Sequence, residues 1–146
     1  MTTPITELRT KERTKQTGEV FTPKSLVLEL LNKLPANTWQ PNINFLDNSC
    51  GHGNFLVEIV KRKIEKGLTK FQAIKSTYGI DLMTDNVEEC RERILKIVGD
   101  TPKYRKIVEH HIVCHDALIG WDYENWCKEK TKEELRDEKL KEYFDY

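Results

Sequence analysis

The stretch that most constrains this chain is Ile43-Asn-Phe-Leu-Asp-Asn-Ser-Cys-Gly-His-Gly-Asn-Phe-Leu-Val-Glu-Ile-Val60. The apolar run Ile43 to Leu46 reads as a buried strand that ends on an acid, Asp47. A turn of small residues follows, Asn48 to Gly53. From Asn54 the apolar spacing becomes helical, through Phe55, Leu56, Ile59, Val60 and Ile64 to about Lys66. Strand, glycine turn and helix together aim backbone N–H groups and a helix N-terminus at one point, a geometry suited to a ligand. Gly51 and Gly53 lack a Cβ and so permit a close backbone approach.

The glycines alone are compatible with a tight turn that holds nothing. The third glycine of a dinucleotide-binding fingerprint is replaced by Leu56. The surrounding residues are more specific. Asp47-Asn-Ser-Cys-Gly-His-Gly-Asn-Phe-Leu56 resembles the cofactor motif of the adenine-specific DNA amino-methyltransferases, Asp-Pro-x-Cys-Gly-x-Gly-x-Phe-Leu, with Asn48 in place of the proline. About 25 residues earlier, Gly18-Glu-Val-Phe-Thr-Pro23 resembles the segment that, in the same family, lies over the methionine end of S-adenosylmethionine. Read without the family, Thr22 and Pro23 are an N-cap and a first helical residue. They introduce an amphipathic helix whose apolar face is Leu26, Val27, Leu30, Leu31 and Leu34 and which stops at Pro35.

Ser76 to Leu82 reads as a second strand with Asp81 at its tip, 34 residues after Asp47, the extra length lying in Gly67 to Ala73. Asp85 or Thr84 is expected to cap a helix through Val87, Cys90, Ile94 and Ile97 that closes at Gly99. Alone, Asp81 reads as a helix cap. An acid at this place in an α/β sheet also suits ribose hydroxyls, and Tyr78-Gly-Ile-Asp81 resembles the family's second motif.

His110 to Leu118 reads as a third strand and its exit. Alternation puts His111 and His115 on one side and His110 and Cys114 on the other, which argues against a shared metal. His115-Asp-Ala-Leu118 resembles the family's third motif, whose acid receives the adenine amino group; that residue is Asp116.

The resemblance implies a Rossmann-like three-layer α/β/α sandwich with a truncated parallel sheet of strand order 3-2-1 and the N-terminal helix packed beside the cofactor. It implies S-adenosylmethionine as cofactor, held by Phe21, Thr22, Pro23, Asp47, Ser49, Cys50, Gly51, Gly53, Asn54, Phe55, Asp81, Leu82, Asp116 and Ala117, with Leu118 as a further apolar wall. It also implies an Asn/Asp-Pro-Pro-Tyr/Phe element that stacks a flipped adenine. Here the five prolines are Pro4, Pro23, Pro35, Pro41 and Pro102, none adjacent, so no catalytic residue is assigned. A partner chain would then supply that element and DNA recognition. The alternative is a non-catalytic protein that sequesters the cofactor or modulates a methyltransferase or restriction complex.

We divide the chain into a mobile basic arm (1–17), a cofactor-binding domain (18–121), and a charged C-terminal helix with a candidate edge strand (122–146). Residues 122–146 hold nine acids and six bases, with a capping box at Thr131 and Glu134 and a candidate strand at Tyr143 to Tyr146. Charge overall is balanced, 24 basic against 24 acidic residues, so attraction to DNA must be local. One patch is the basic end of the second helix, Lys61, Arg62, Lys63 and Lys66 with Lys70 and Lys75, which reads as macrodipole compensation or as a nucleic-acid face. Four dispersed cysteines, no signal-peptide core and no apolar run long enough for a bilayer lead us to expect a cytoplasmic protein with reduced thiols, no membrane and no metal. The resemblance also implies a central first strand with a fourth beside it; without that fourth strand its apolar edge is open, and we expect Tyr143 to Tyr146, a second copy of the chain or a partner chain to cover it.

Overall fold

The computed structural model describes residues 21–128 and Arg136. The basic arm, the capping box at Thr131 and Glu134 and the candidate strand at Tyr143 to Tyr146 lie outside the described residues. Three parallel strands, β1 (Phe45–Asp47), β2 (Thr77–Asp81) and β3 (Ile112–Cys114), form one sheet in the order β1-β2-β3. Register pairs Phe45 with Thr77, Asp47 with Gly79, and Asp81 with Cys114. This is the expected truncated Rossmann-like α/β arrangement, and it brings the three strand exits side by side.

Central β2 is wholly buried and has a different environment on each face. Gly79 faces helix α2 (Asn54–Glu65): a Cβ there would sit 2.5 Å from Leu56 Cδ1 and 3.1 Å from Cys50 Sγ. Tyr78 and Ile80 point the other way, onto Trp126 of helix α6 (Tyr123–Lys128). Helix therefore covers both faces. The larger core, built on Val27, Leu56, Val60, Ile94 and Ile107, lies on the α2 side.

Several sequence expectations are corrected. The helix after Pro23, α1 (Lys24–Asn32), takes Pro23 as its N-cap, with no side-chain cap bond from Thr22. The Thr22 carbonyl is instead held by Asn54, which fixes the chain ahead of the helix. Only Val27 and Leu31 of the expected apolar face are buried; Leu26, Leu30 and Leu34 are 38–41% exposed. Ile43 and Leu46 are likewise exposed, so β1 is an edge strand, paired among the described residues with β2 only.

Two helices were not foreseen. α3 (Lys70–Lys75) fills the extra length before β2, and a reciprocal capping box between Thr69 and Gln72 starts it. A fourth helix, α4 (Thr84–Val98), has Met83 at its N-cap position; Asp85 Oδ1 accepts the Asn86 N–H of the first turn at 2.8 Å, and Asp81 Oδ2 accepts the Met83 N–H. After it comes α5 (Pro102–His111), with Pro102 in its first turn and Thr101 Oγ1 accepting the Tyr104 N–H. His110 and His111 therefore end a helix, and the alternation drawn through them does not apply.

The basic patch is also divided. Lys63 is fully buried, its Nζ donating to Ser76 O, Ser76 Oγ and Thr77 Oγ1 at 2.7–3.0 Å and sitting 4.5 Å from the Phe45 ring centroid. It anchors α2 to the start of β2 and presents nothing to a nucleic acid. Among the described residues no helix is long and apolar enough to cross a membrane.

Candidate cofactor site

A cavity of about 540 Å³ opens where the three strands end. Asp47, Asp81 and Asp116 each leave one strand exit and line it, together with the turn Asn48 to His52. Phe21, Thr22, Asn54, Phe55, Leu82 and Ala117 complete the expected lining, and Leu118 stands at the rim as the expected wall. Pro23 and Gly53 do not line it. Asn48, His52, Met83 and His115 do; Asn48, His52 and His115 stand inside the motifs without having been expected as contacts, and Met83 lies next to one.

Each acid is held differently. Asp81, only 8% exposed, is the hub. Its Oδ1 accepts the Gly51 N–H at 3.1 Å; its Oδ2 accepts the Met83 N–H at 3.1 Å and the Asn86 Nδ2–H at 3.0 Å. The residue thus ties the glycine turn to α4, and of about four acceptor positions on a carboxylate one remains for a ligand hydroxyl. Asp47 accepts the Ser49 N–H at 3.1 Å. Burial, with a contribution from the facing Asp81, pushes its carboxyl above the usual carboxylate range. Asp116 accepts the Leu118 N–H at 3.0 Å and so shapes its own turn. Among the described residues lining the cavity there is no lysine or arginine. Two ionised carboxylates that face each other across such a space favour a cation between them.

The glycines of the turn are set by the protein itself. Gly51 has φ +54°, and a Cβ there would lie 3.0 Å from the Phe21 ring. Gly53 has φ +99°, and a Cβ would lie 2.7 Å from Cys90 Sγ on α4. Gly53 therefore serves the packing of α2 against α4, while Gly51 lets Phe21 close over the turn. Cys50 is buried, and the neighbouring Cys90 thiol, with burial, pushes its thiol upward. It stays protonated, and its backbone is used within the fold, the N–H donating to Ile80 O and the carbonyl accepting the Gly53 N–H. The α2 N-terminus carries no acidic side chain in its first turn, leaving its positive end facing the cavity.

Around Asp116 the walls are apolar and open. Leu82 and Leu118 are largely exposed, and Tyr123 Oη donates to Ala117 O at 3.0 Å to hold the turn. His115 packs on Trp121, and its Nε2 lies 2.9 Å from Ile119 O. Among the described residues no three His, Cys, Asp or Glu side chains gather as metal ligands.

A family model described as N-6 DNA Methylase matches residues 5–96. Type II methyltransferase M.VspI of Vibrio sp. (strain 343) is 30% identical over 82 residues, 56% of this chain and 18% of that protein. The match thus spans less than a fifth of that relative's length. No solved structure matches significantly.

Proposed function

The chain belongs to the N-6 DNA methylase family, and from that premise we propose that it binds S-adenosylmethionine in the cavity at the strand exits, as the cofactor-binding part of an adenine-specific DNA methyltransferase. The observation that carries this reading is the placing of Asp47, Asp81 and Asp116 around one cavity that no lysine or arginine lines among the described residues. A cavity of about 540 Å³ is within the range usual for small-molecule sites, about 300–1,000 Å³.

In this reading Asp47 neutralises the methionine ammonium, and the backbone from Ser49 to Gly53 wraps the amino-acid end. Phe21, Thr22 and Pro23 lie over that end. Asp81 spends its remaining acceptor position on a ribose hydroxyl. Asp116 receives the adenine amino group between Leu82, Ala117 and Leu118. The cofactor, when bound, supplies a methyl group on a sulfonium, open to attack by an amino nitrogen. The Pro-Pro element that positions a flipped adenine, and the surface that reads DNA, would come from polypeptide outside these 146 residues; we assign them to a partner chain docked along the open edge of β1. We place this assembly in the cytoplasm, within a restriction-modification system. The alternative, cofactor sequestration or modulation of a methyltransferase complex without methyl transfer, uses the same pocket.

Calorimetric titration with S-adenosylmethionine and its demethylated product tests the pocket. Micromolar binding is expected, weakened at least tenfold in Asp47→Asn, which keeps the side-chain shape and removes the charge. Binding of neither ligand would reject both readings. Transfer of a labelled methyl group to DNA, with and without co-expressed partner chains, then separates them.

A further inference from the structure

Behind the glycine turn stands a cation that the cavity chemistry does not use. Arg93 lies on α4 and does not line the cavity. Its Nη1 is 2.8 Å from His52 Nδ1, 3.0 Å from His52 O and 3.0 Å from Asn54 Oδ1. A guanidinium only donates hydrogen bonds. His52 Nδ1 must therefore accept, which keeps that nitrogen unprotonated and puts the proton of the neutral ring on Nε2. Asn54 must turn its oxygen to Arg93, which aims its Nδ2 at Thr22 O, 2.6 Å away. The oriented His52 ring meets the Phe21 ring edge-on, centroids 4.2 Å apart at 69°. Phe21 in turn lies against Gly51, where any Cβ would strike its ring.

Two contacts of the Phe21–Thr22 segment, the ring contact with His52 and the hydrogen bond from Asn54, thus run through side chains that Arg93 holds. We propose that Arg93 is a positioning residue for this site, holding Phe21 and Thr22 as a strap across the glycine turn from a helix that never meets the ligand. The inference rests on the reading that the cavity takes S-adenosylmethionine. Loss of Arg93 removes the donor that favours the Nε2–H form of His52 and the oxygen-to-Arg93 orientation of the Asn54 amide, so the strap loosens on the mouth of the pocket. The effect falls on ligand dissociation more than on association, because the strap closes over a bound molecule.

The test compares wild type with Arg93→Ala, Arg93→Gln and Arg93→Lys. S-adenosylmethionine affinity is expected to fall at least tenfold in Arg93→Ala, mostly as faster release, and to be partly recovered in Arg93→Lys. Two readouts need no ligand. Ring-nitrogen NMR of His52 is expected to report the Nε2–H form in wild type and a tautomer mixture in Arg93→Ala. Para-fluorophenylalanine at position 21 is expected to give one shifted fluorine signal in wild type and a solvent-like signal in the variant. Should Arg93→Ala not fold, Arg93→Gln gives the same comparison. Unchanged His52 shifts and an unchanged fluorine signal in a folded variant would overturn the proposal. If wild type binds no S-adenosylmethionine, the functional reading falls, and the two ligand-free signals still decide whether Arg93 holds the strap.

Discussion

At one end of β2 the chain gathers carboxylates around open space; at the other it buries an ammonium among oxygens of its own. Asp81 closes the strand beside the cavity, with Asp47 facing it and no lysine or arginine lining the space among the described residues. Thr77 opens the strand beside Lys63, whose three N–H groups have three oxygen partners. Both ends carry charge that burial penalises. The difference is whether the protein supplies the compensation itself. Where it does, as at Lys63, the charge belongs to the fold. Where it does not, as at Asp47, the missing compensation describes the ligand.

The strongest challenge to this contrast is truncation of Lys63. Lys63→Ala is expected to cost about 2–4 kcal/mol, from the cavity it leaves and the oxygens it strands. S-adenosylmethionine affinity should stay within twofold of wild type. Lys63→Met fills the space without charge and is expected to cost less than about 1.5 kcal/mol, since buried charges are often replaceable by apolar groups of like volume. Urea unfolding of both variants checks this, and a large affinity loss in Lys63→Met would erase the division between the two ends.

A second test uses pH. Burial lowers the Lys63 ammonium from 10.5 to about 7, so the buried ammonium is the form held below about pH 7, and between those values the unfolded chain holds a proton that the native chain has released. Stability should therefore rise with pH across that window, by up to about 1.4 kcal/mol per unit, and the rise should vanish in Lys63→Met. His111, stacked on Tyr78 with its Nδ1 3.1 Å from Ile74 O, is lowered mainly by burial from 6.5 to about 4. Here the unfolded chain takes up the proton first as pH falls. Stability is thus full above 6.5 and lost on the way down to 4, which melting curves at pH 7 and pH 5 would show.

The smallest effect is the sharpest. The Asp47 carboxyl is raised in the folded chain, so its ionised form destabilises the ligand-free protein above the usual carboxylate range. Asp47→Asn is therefore expected to raise stability at pH 7, read as a higher melting temperature than wild type. The same substitution should weaken S-adenosylmethionine binding at least tenfold. A variant that is both less stable and unable to bind would make Asp47 a structural residue like Lys63.

The sequence made legible what depends on local order. Phe45 to Val60 announces strand, turn and helix within one window, and Asp81 and Asp116 stand where two further strands end. Helices α3 and α5 were legible in their caps, Thr69 with Gln72 and Thr101 with Pro102, but too short and too thinly apolar to show by periodicity. Lys63 read as part of a solvated basic run because the oxygens that receive it are 13 and 14 residues away. Arg93 gave no local signal at all, since its partners lie 39 and 41 residues earlier. The glycines were legible as a turn, whereas the Phe21 ring and the Cys90 sulfur that require them come from distant segments.

The strand order has a consequence in time. Each strand pairs with the next one in the chain, so a polypeptide leaving the ribosome can close β1 onto β2 before β3 exists, and the sheet grows in one direction only. Its growing end is β3. Among the described residues its oldest edge is β1, and any strand joining there arrives at the part of the sheet made first. The interval before that joining is when a nascent chain of this kind is most exposed to the wrong neighbour.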